Sequence, residues 1–264
     1  MDSAFAIPHS ALSLPMPLVT TDAIVIGGHD LGEADRILVF YTKGRGKVRA
    51  VAEGARRIRS RFGGCLQLFT CGRLIYFERP NKTLHKVNEF AVVRGHQGLR
   101  EDLDRIALAS AAVEAVALGV EDEQPVAGVY ELLAEALILL EEGSRPALIL
   151  QGYLLHLLRL LGYRPELFEC VRCRGAAPPH APAYLSPSQG GLICPACRPQ
   201  TPDVVTVSPE GLGFLRGAGG AGLRLMGRIS LSAGVVEEVE GAIHAFLRNT
   251  LGRPLRAAEF FGRL

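Results

Sequence analysis

The sequence predicts a multi-domain α+β protein: an N-terminal five-stranded β-barrel, then an all-α domain interrupted by a four-cysteine ribbon. Three observations carry that expectation. Between residues 21 and 93 the chain reads as short runs rich in β-branched and aromatic residues, bounded by Gly, Asp, Pro or Asn. After Gly95 the apolar period becomes helical. Two Cys-x2-Cys pairs, Cys170/Cys173 and Cys194/Cys197, stand 20 residues apart, a spacing that suits four thiolates around one metal. The expected boundaries are a disordered leader at 1–19, the barrel at 20–95, a first helical part at 96–165, the ribbon at 166–202 and a second helical part at 203–264.

The leader contains Pro8, Pro15 and Pro17, no Lys or Arg and no sustained apolar run. Such a segment is not a secretory signal, and the expected location is cytoplasmic. The barrel strands are expected at 22–26, 35–42, 47–53, 66–78 and 84–93. In the third, alternation points Val48, Ala50 and Ala52 inward and Lys47, Arg49, Val51 and Glu53 outward. Five strands joined by basic turns are how an OB-fold would look, and that fold commonly grips single-stranded nucleic acid.

The helical stretches are expected at about 103–117, 130–140 and 146–161, with Gly143 and Gly162 closing two of them. The last is apolar nearly all round and belongs at the centre of a helical domain. Its most apolar part, 147–161, is interrupted by Gln151, His156 and Arg159 and is shorter than the roughly 20 residues a bilayer needs. Ser208, Pro209 and Glu210 open a short helix, the GAGGAG run at 217–222 reads as a flexible connection, and a final amphipathic helix starts near Ser232.

Charge is unevenly spread. The net charge of +2 conceals 15 Lys or Arg against 7 Asp or Glu over residues 22–100, then 1 against 11 over 101–142, then 13 against 8 to the end. One module suits a polyanion and the next keeps an acidic surface. The basic part is densest at residues 43–69, where Lys43, Arg45, Lys47, Arg49, Arg56, Arg57, Arg59 and Arg61 face Glu53 alone, with glycines at turn positions. Guanidinium forks match phosphate oxygens, and neutralised phosphates release counterions. The bland alternative is a solvated basic loop. Phe62, with Tyr41 or Phe40, is a candidate for base stacking, although Phe40 suits the core better.

Catalytic readings fail on residues. Gly44-Arg45-Gly46-Lys47 lacks the first glycine of a phosphate loop, since Tyr41 stands there, and Val48 replaces the hydroxyl that would hold Mg²⁺. No His has Glu two residues on, as a zinc deaminase requires. Four cysteine ligands leave a metal no open position, so the ribbon metal is expected to be structural zinc, one per chain. Cys65 and Cys71 read as core thiols, and the acid pairs Asp102/Asp104 and Glu141/Glu142 as solvated helix surface. The expectation is a protein that is not an enzyme.

Four stretches, GEADRILVFYTKGRGKVRAVAEGARR (32–57), SRFGGCLQLFTCGRLIYFER (60–79), LLRLLGYRPELFECVRC (157–173) and LGRPLRAAEFF (251–261), resemble the bacterial recombination mediator family RecO. The resemblance implies an OB-fold followed by a helical domain, and a non-enzymatic DNA repair protein of the RecF pathway of homologous recombination. Members bind single- and double-stranded DNA, anneal complementary strands, and act with RecR and the single-strand-binding protein so that RecA can load. Carried over by motif, the DNA contacts would be Arg36, Lys43, Arg45, Lys47, Arg49, Arg56, Arg57, Arg59 and Arg61, and the zinc ligands Cys170, Cys173, Cys194 and Cys197. The family also binds the acidic, apolar C-terminal tail of the single-strand-binding protein in its helical part, where Arg145, Arg159 or Arg164 could supply the cation. The competing reading is an assembly protein whose barrel and ribbon bind a protein partner or ribosomal RNA without annealing.

Overall fold

The computed structural model describes residues 16–176 and 181–259, so most of the expected leader lies outside the described residues. Five strands close a barrel: β1 (Leu18–Leu31), β2 (Asp35–Thr42), β3 (Gly46–Ala52), β4 (Cys71–Phe77) and β5 (His85–Arg94), in the order β1-β2-β3-β5-β4. β3 and β5 pair in parallel through Ala50↔His85 and Val51↔Lys86, and the other pairs are antiparallel. This is OB topology.

β1 runs longer than the expected strand at both ends because it serves two neighbours. Its first half pairs with β4, its second with β2, and an irregularity between Val25 and Gly27 lets it turn from one to the other. Alternation then sorts the side chains. Ala23, Val25, Leu38, Phe40, Val48, Ala50, Ala52, Leu74, Tyr76, Val87 and Phe90 fill the barrel.

The opposite side of the barrel is not solvent-facing throughout. Ile24, Ile26, Tyr41, Phe69 and Cys71 join the core of the helical domain. Tyr41 is buried there with its hydroxyl 3.4 Å from the Val126 carbonyl oxygen. At the β2–β3 turn Gly46 has φ +65°, and a side chain there would run into the Gln124 backbone, so glycine is what lets the turn seat against this segment.

The helices are α1 (Gln97–Glu101), α2 (Leu103–Gly119), α3 (Val129–Glu142), α4 (Pro146–Leu160), α5 (Pro209–Ala218), α6 (Leu223–Met226), α7 (Ala233–Leu251) and α8 (Arg256–Glu259). α4 is central, with residues 148 to 155 buried without a break and Tyr153 donating to the Ala112 carbonyl at 2.9 Å. Asp102 caps α2 by accepting from the N–H groups of Asp104 and Arg105, so it is not merely solvated surface. Ser208 caps α5 through the Gly211 N–H, and Ser232 precedes α7, as the sequence suggests. The GAGGAG stretch is not a free connection: its first two residues end α5, with Ala218 buried. A three-stranded sheet, β7-β6-β8, built from β6 (Ala183–Ser186), β7 (Gly191–Ile193) and β8 (Val205–Val207), packs beside α7, with Cys170 and Cys173 ahead of β6 and Cys194 and Cys197 just after β7.

Candidate nucleic-acid interface and metal centre

The four ribbon cysteines converge. Their sulfur atoms all lie within 4.8 Å of one another, with Cys173 and Cys194 at 3.5 Å, and can hold one metal ion. Two tight turns achieve this. Cys170 N–H donates to the Gly175 carbonyl and Arg174 N–H returns to Cys170, with Arg174 at φ +62°; Cys197 N–H donates to the Cys194 carbonyl. Cys170 is fully buried, and its burial works against ionisation. Backbone N–H groups of Cys194, Cys173 and Arg172 outweigh that and bring its thiol down to about 6, the direction a thiolate ligand needs. Cys71 is a core thiol pushed up to about 11 by burial.

The cations divide into two populations. One is committed to the seam between barrel and helices. Lys47, only 11% exposed, donates to the carbonyls of Ala117 (2.9 Å) and Val120 (2.8 Å) and pairs with Asp122 at 3.1 Å. Arg49 shares Asp122 at 3.3 Å, and Lys43 pairs with Glu131 at 3.0 Å, which lowers the Glu131 pKa. Behind them His85 meets Glu123 at 2.6 Å, and Glu141 collects Arg94, His96 and the Gly98 N–H. The acidic segment is therefore in part the electrostatic counterpart of the barrel, and Glu141 is a hub and not a solvated surface acid.

The second population stands on the loop from β3 to β4. Gly54 (φ +71°) and Gly63 (φ +50°) bound its basic part; the Gly54 N–H donates to Asp35 at 2.8 Å, and the Arg56 N–H to Ala34 at 2.9 Å. Phe62 and Leu66 plug the barrel end, with the Arg61 guanidinium 4.7 Å over the Phe62 ring. These anchors leave Arg56, Arg57, Arg59 and Arg61 exposed together with a fully exposed Ile58. Arg56 shares Asp30 with Arg36, and Arg45 meets Glu78 at 3.5 Å, but the ion pairs among the described residues include none with Arg57, Arg59 or Arg61. Arg36 also reaches the Leu66 carbonyl at 3.5 Å. Arg57 and Arg61 line one cleft with Lys86, a cation the sequence reading missed, and with Asp35 and Glu53, the latter paired with Lys86 at 2.6 Å.

The stacking candidates are a correction. Phe62 is 5% exposed, Phe40 fully buried and Tyr41 held in the seam, so all three are packing residues. The three partner arginines also separate. Arg145 stands at an apolar cavity of about 390 Å³ walled by Leu108, Pro146, Leu148, Leu231 and Val236, while Arg159 and Arg164 line a different groove with Arg216. Among the described residues no helix is long and apolar enough to cross a membrane.

An OB barrel docked on a helical domain that carries a four-cysteine ribbon defines a class of architecture, and the comparisons give its family. Residues 16–96 match the family model described as Recombination protein O N terminal, and residues 100–259 the one described as Recombination protein O C terminal. The chain is 36% identical over 241 residues to the DNA repair protein RecO of Anaeromyxobacter sp. (strain Fw109-5), covering 90% of this chain and 93% of that protein. It is 33% identical over 251 residues to the DNA repair protein RecO of Symbiobacterium thermophilum, covering 94% and 98%. The chain belongs to the RecO family of DNA repair proteins.

Proposed function

We propose that this protein is a non-enzymatic mediator of recombinational repair that binds single- and double-stranded DNA and anneals complementary strands. The observation that carries the reading is the β3–β4 loop, where Arg56, Arg57, Arg59 and Arg61 are held out by glycine turns and a buried Phe62. Arg36 and Arg45 extend this surface, and Arg49, half-exposed beside Asp122, stands where it meets the seam. Their ion pairs are solvent-exposed and worth about 1 kcal/mol or less each, so phosphates can compete for them. Lys47 is assigned to the fold and not to DNA, and Lys43 to the seam's edge. Annealing needs no bond chemistry: cations screen the repulsion between two backbones, and base pairing drives the rest.

The metal is assigned as zinc, one per chain. A zinc ion with Zn–S near about 2.3 Å spaces tetrahedral sulfurs about 3.8 Å apart, which the observed cluster accommodates, and four thiolates leave no open position for hydrolytic chemistry. Zinc supplies a cross-link that fixes the ribbon.

The family resemblance supports action with RecR, the single-strand-binding protein and RecA. The Arg145 cavity suits an acidic, apolar peptide end through Leu108, Leu148, Leu231 and Val236; of the two acids on its border, Asp104 and Glu240, burial, then Glu237, pushes Glu240 toward its neutral form. Arg145→Glu should weaken binding of the tail peptide of the single-strand-binding protein, and unchanged affinity would remove this assignment. The central test is annealing of complementary strands coated with single-strand-binding protein. Changing Arg56, Arg57, Arg59 and Arg61 to Ala should slow duplex formation and flatten the log–log salt slope by roughly 2 to 3. An assembly protein would not accelerate annealing at all.

A further inference from the structure

The strongest feature that this account does not use is the groove between the end of α4, α5 and the approach to the ribbon. Its walls include Leu155, Arg159, Arg164, Leu167, Phe168 and Arg216, and no carboxylate among the described residues lines it. Phe168 is a large aromatic left 62% exposed, and the Arg216 guanidinium lies 5.1 Å from its ring centre. That arginine is also fixed by donating from Nε to the Leu167 carbonyl at 2.8 Å. Arg159 rests over Gly219, where a side-chain carbon would stand 3.5 Å from its Nη1. Of the two nearest acids in sequence, Glu166 and Glu169, neither is among the groove's lining residues, and Glu166 accepts from the N–H groups of Phe168 and Glu169. No ion pair among the described residues includes Arg159, Arg164 or Arg216.

We propose that this groove is a second site for single-stranded nucleic acid, with Arg159, Arg164 and Arg216 taking phosphates and Phe168 taking the face of a base. An exposed ring with a planar cation against it is a stacking platform, and every base offers a π-face. The groove, at about 170 Å³, is less than half the size of the Arg145 cavity and is lined by three arginines and an exposed ring, which suits a phosphate with its stacked base better than the apolar end of a peptide. As a use for the site, the inference rests on the annealing reading: a protein that pairs two strands gains from holding each on its own surface.

The experiment uses the full chain and a fluorescein-labelled oligothymidylate followed by anisotropy. In the variant with Arg56, Arg57, Arg59 and Arg61 changed to Ala, residual binding should persist with a salt slope of about −2 or steeper, about −2 being the value for three groove phosphates and Arg36 and Arg45 adding to it. Adding Arg159→Glu and Arg164→Glu should flatten that slope by about 1.4, the value for two phosphates, and adding Phe168→Ala should weaken binding about fivefold or more. An oligonucleotide carrying 4-thiothymidine should photo-crosslink to the peptide containing Phe168. Unchanged melting temperatures exclude misfolding, because all three substituted side chains are exposed. If the loop variant binds no oligonucleotide while the wild type does, the groove proposal falls alone. If the wild type itself binds none, the annealing reading falls with it. Crosslinks elsewhere, or displacement of nothing but an acidic apolar peptide from the groove, would also overturn the proposal.

Discussion

Replacing Lys47 with Met separates a lysine that holds the fold from one that holds DNA. The methionine keeps the apolar stem and removes the ammonium, leaving the Ala117 and Val120 carbonyls at the end of α2 without their donor. Hydrogen bonds to a charged group contribute about 1.5–3 kcal/mol each. Asp122 keeps Arg49 and is partly hydrated, so its loss is small. Counting the two carbonyls at the low end of that range gives a destabilisation of roughly 3 kcal/mol. For a chain of this size that is a fall in melting temperature of about 6–12 °C. Thermal melting by circular dichroism reads the first quantity, and anisotropy of a labelled single strand against salt reads the second. The reasoning requires a large drop in melting temperature with an unchanged salt slope. An unchanged melt with a slope flatter by about 0.7 would make Lys47 a phosphate contact and refute it.

Three further outcomes follow from the packing. Phe62→Ala should destabilise the protein by roughly 3 kcal/mol through a cavity at the barrel end, and should leave the affinity per folded molecule for poly-thymidine nearly unchanged. Cys173→Ser with Cys197→Ser should abolish bound zinc by elemental analysis and speed amide exchange over residues 166–202, with the barrel still protected. Stability should also decline as pH drops below about 6.5, the value for an exposed histidine, because His244 is held low by burial and its Nε2 finds no partner among the described residues. The unfolded chain takes up a proton there that the native state refuses, so the stability present above that pH is lost toward the lowered native value. Denaturant midpoints measured across that window should flatten in His244→Asn.

The barrel, the central helix and the thiolate cluster were legible because each is encoded locally. Alternation placed Val48, Ala50 and Ala52 inside, and two Cys-x2-Cys turns can converge in few ways. The fate of each cation was not legible. Lys47 and Arg57 look alike in a basic run, yet one faces the carbonyl end of α2, some seventy residues away, and the other faces water. Only tertiary pairing decides that. The acidic stretch at 101–142 was a clue, since its charge complements the barrel, but sequence gives the sign of a partner and not its contact. Phe62 misled for the same reason: a single aromatic among arginines reads as a stacking residue until Leu66 and the barrel wall are seen around it.

The seam has a consequence for dissection of the molecule. Residues 16–96 carry 14 Lys or Arg against 7 Asp or Glu, whereas the whole chain carries a net charge of +2. Asp122, Glu123, Glu131, Glu141 and Glu142, which neutralise side chains of that segment, all belong to the other part of the chain. A barrel excised from its helical neighbour is a different polyelectrolyte. It should cling to any polyanion, heparin included, more tightly and with a steeper ionic-strength dependence than the intact molecule. Tight binding by such a fragment would report lysines and arginines that the helical half keeps occupied in the intact chain.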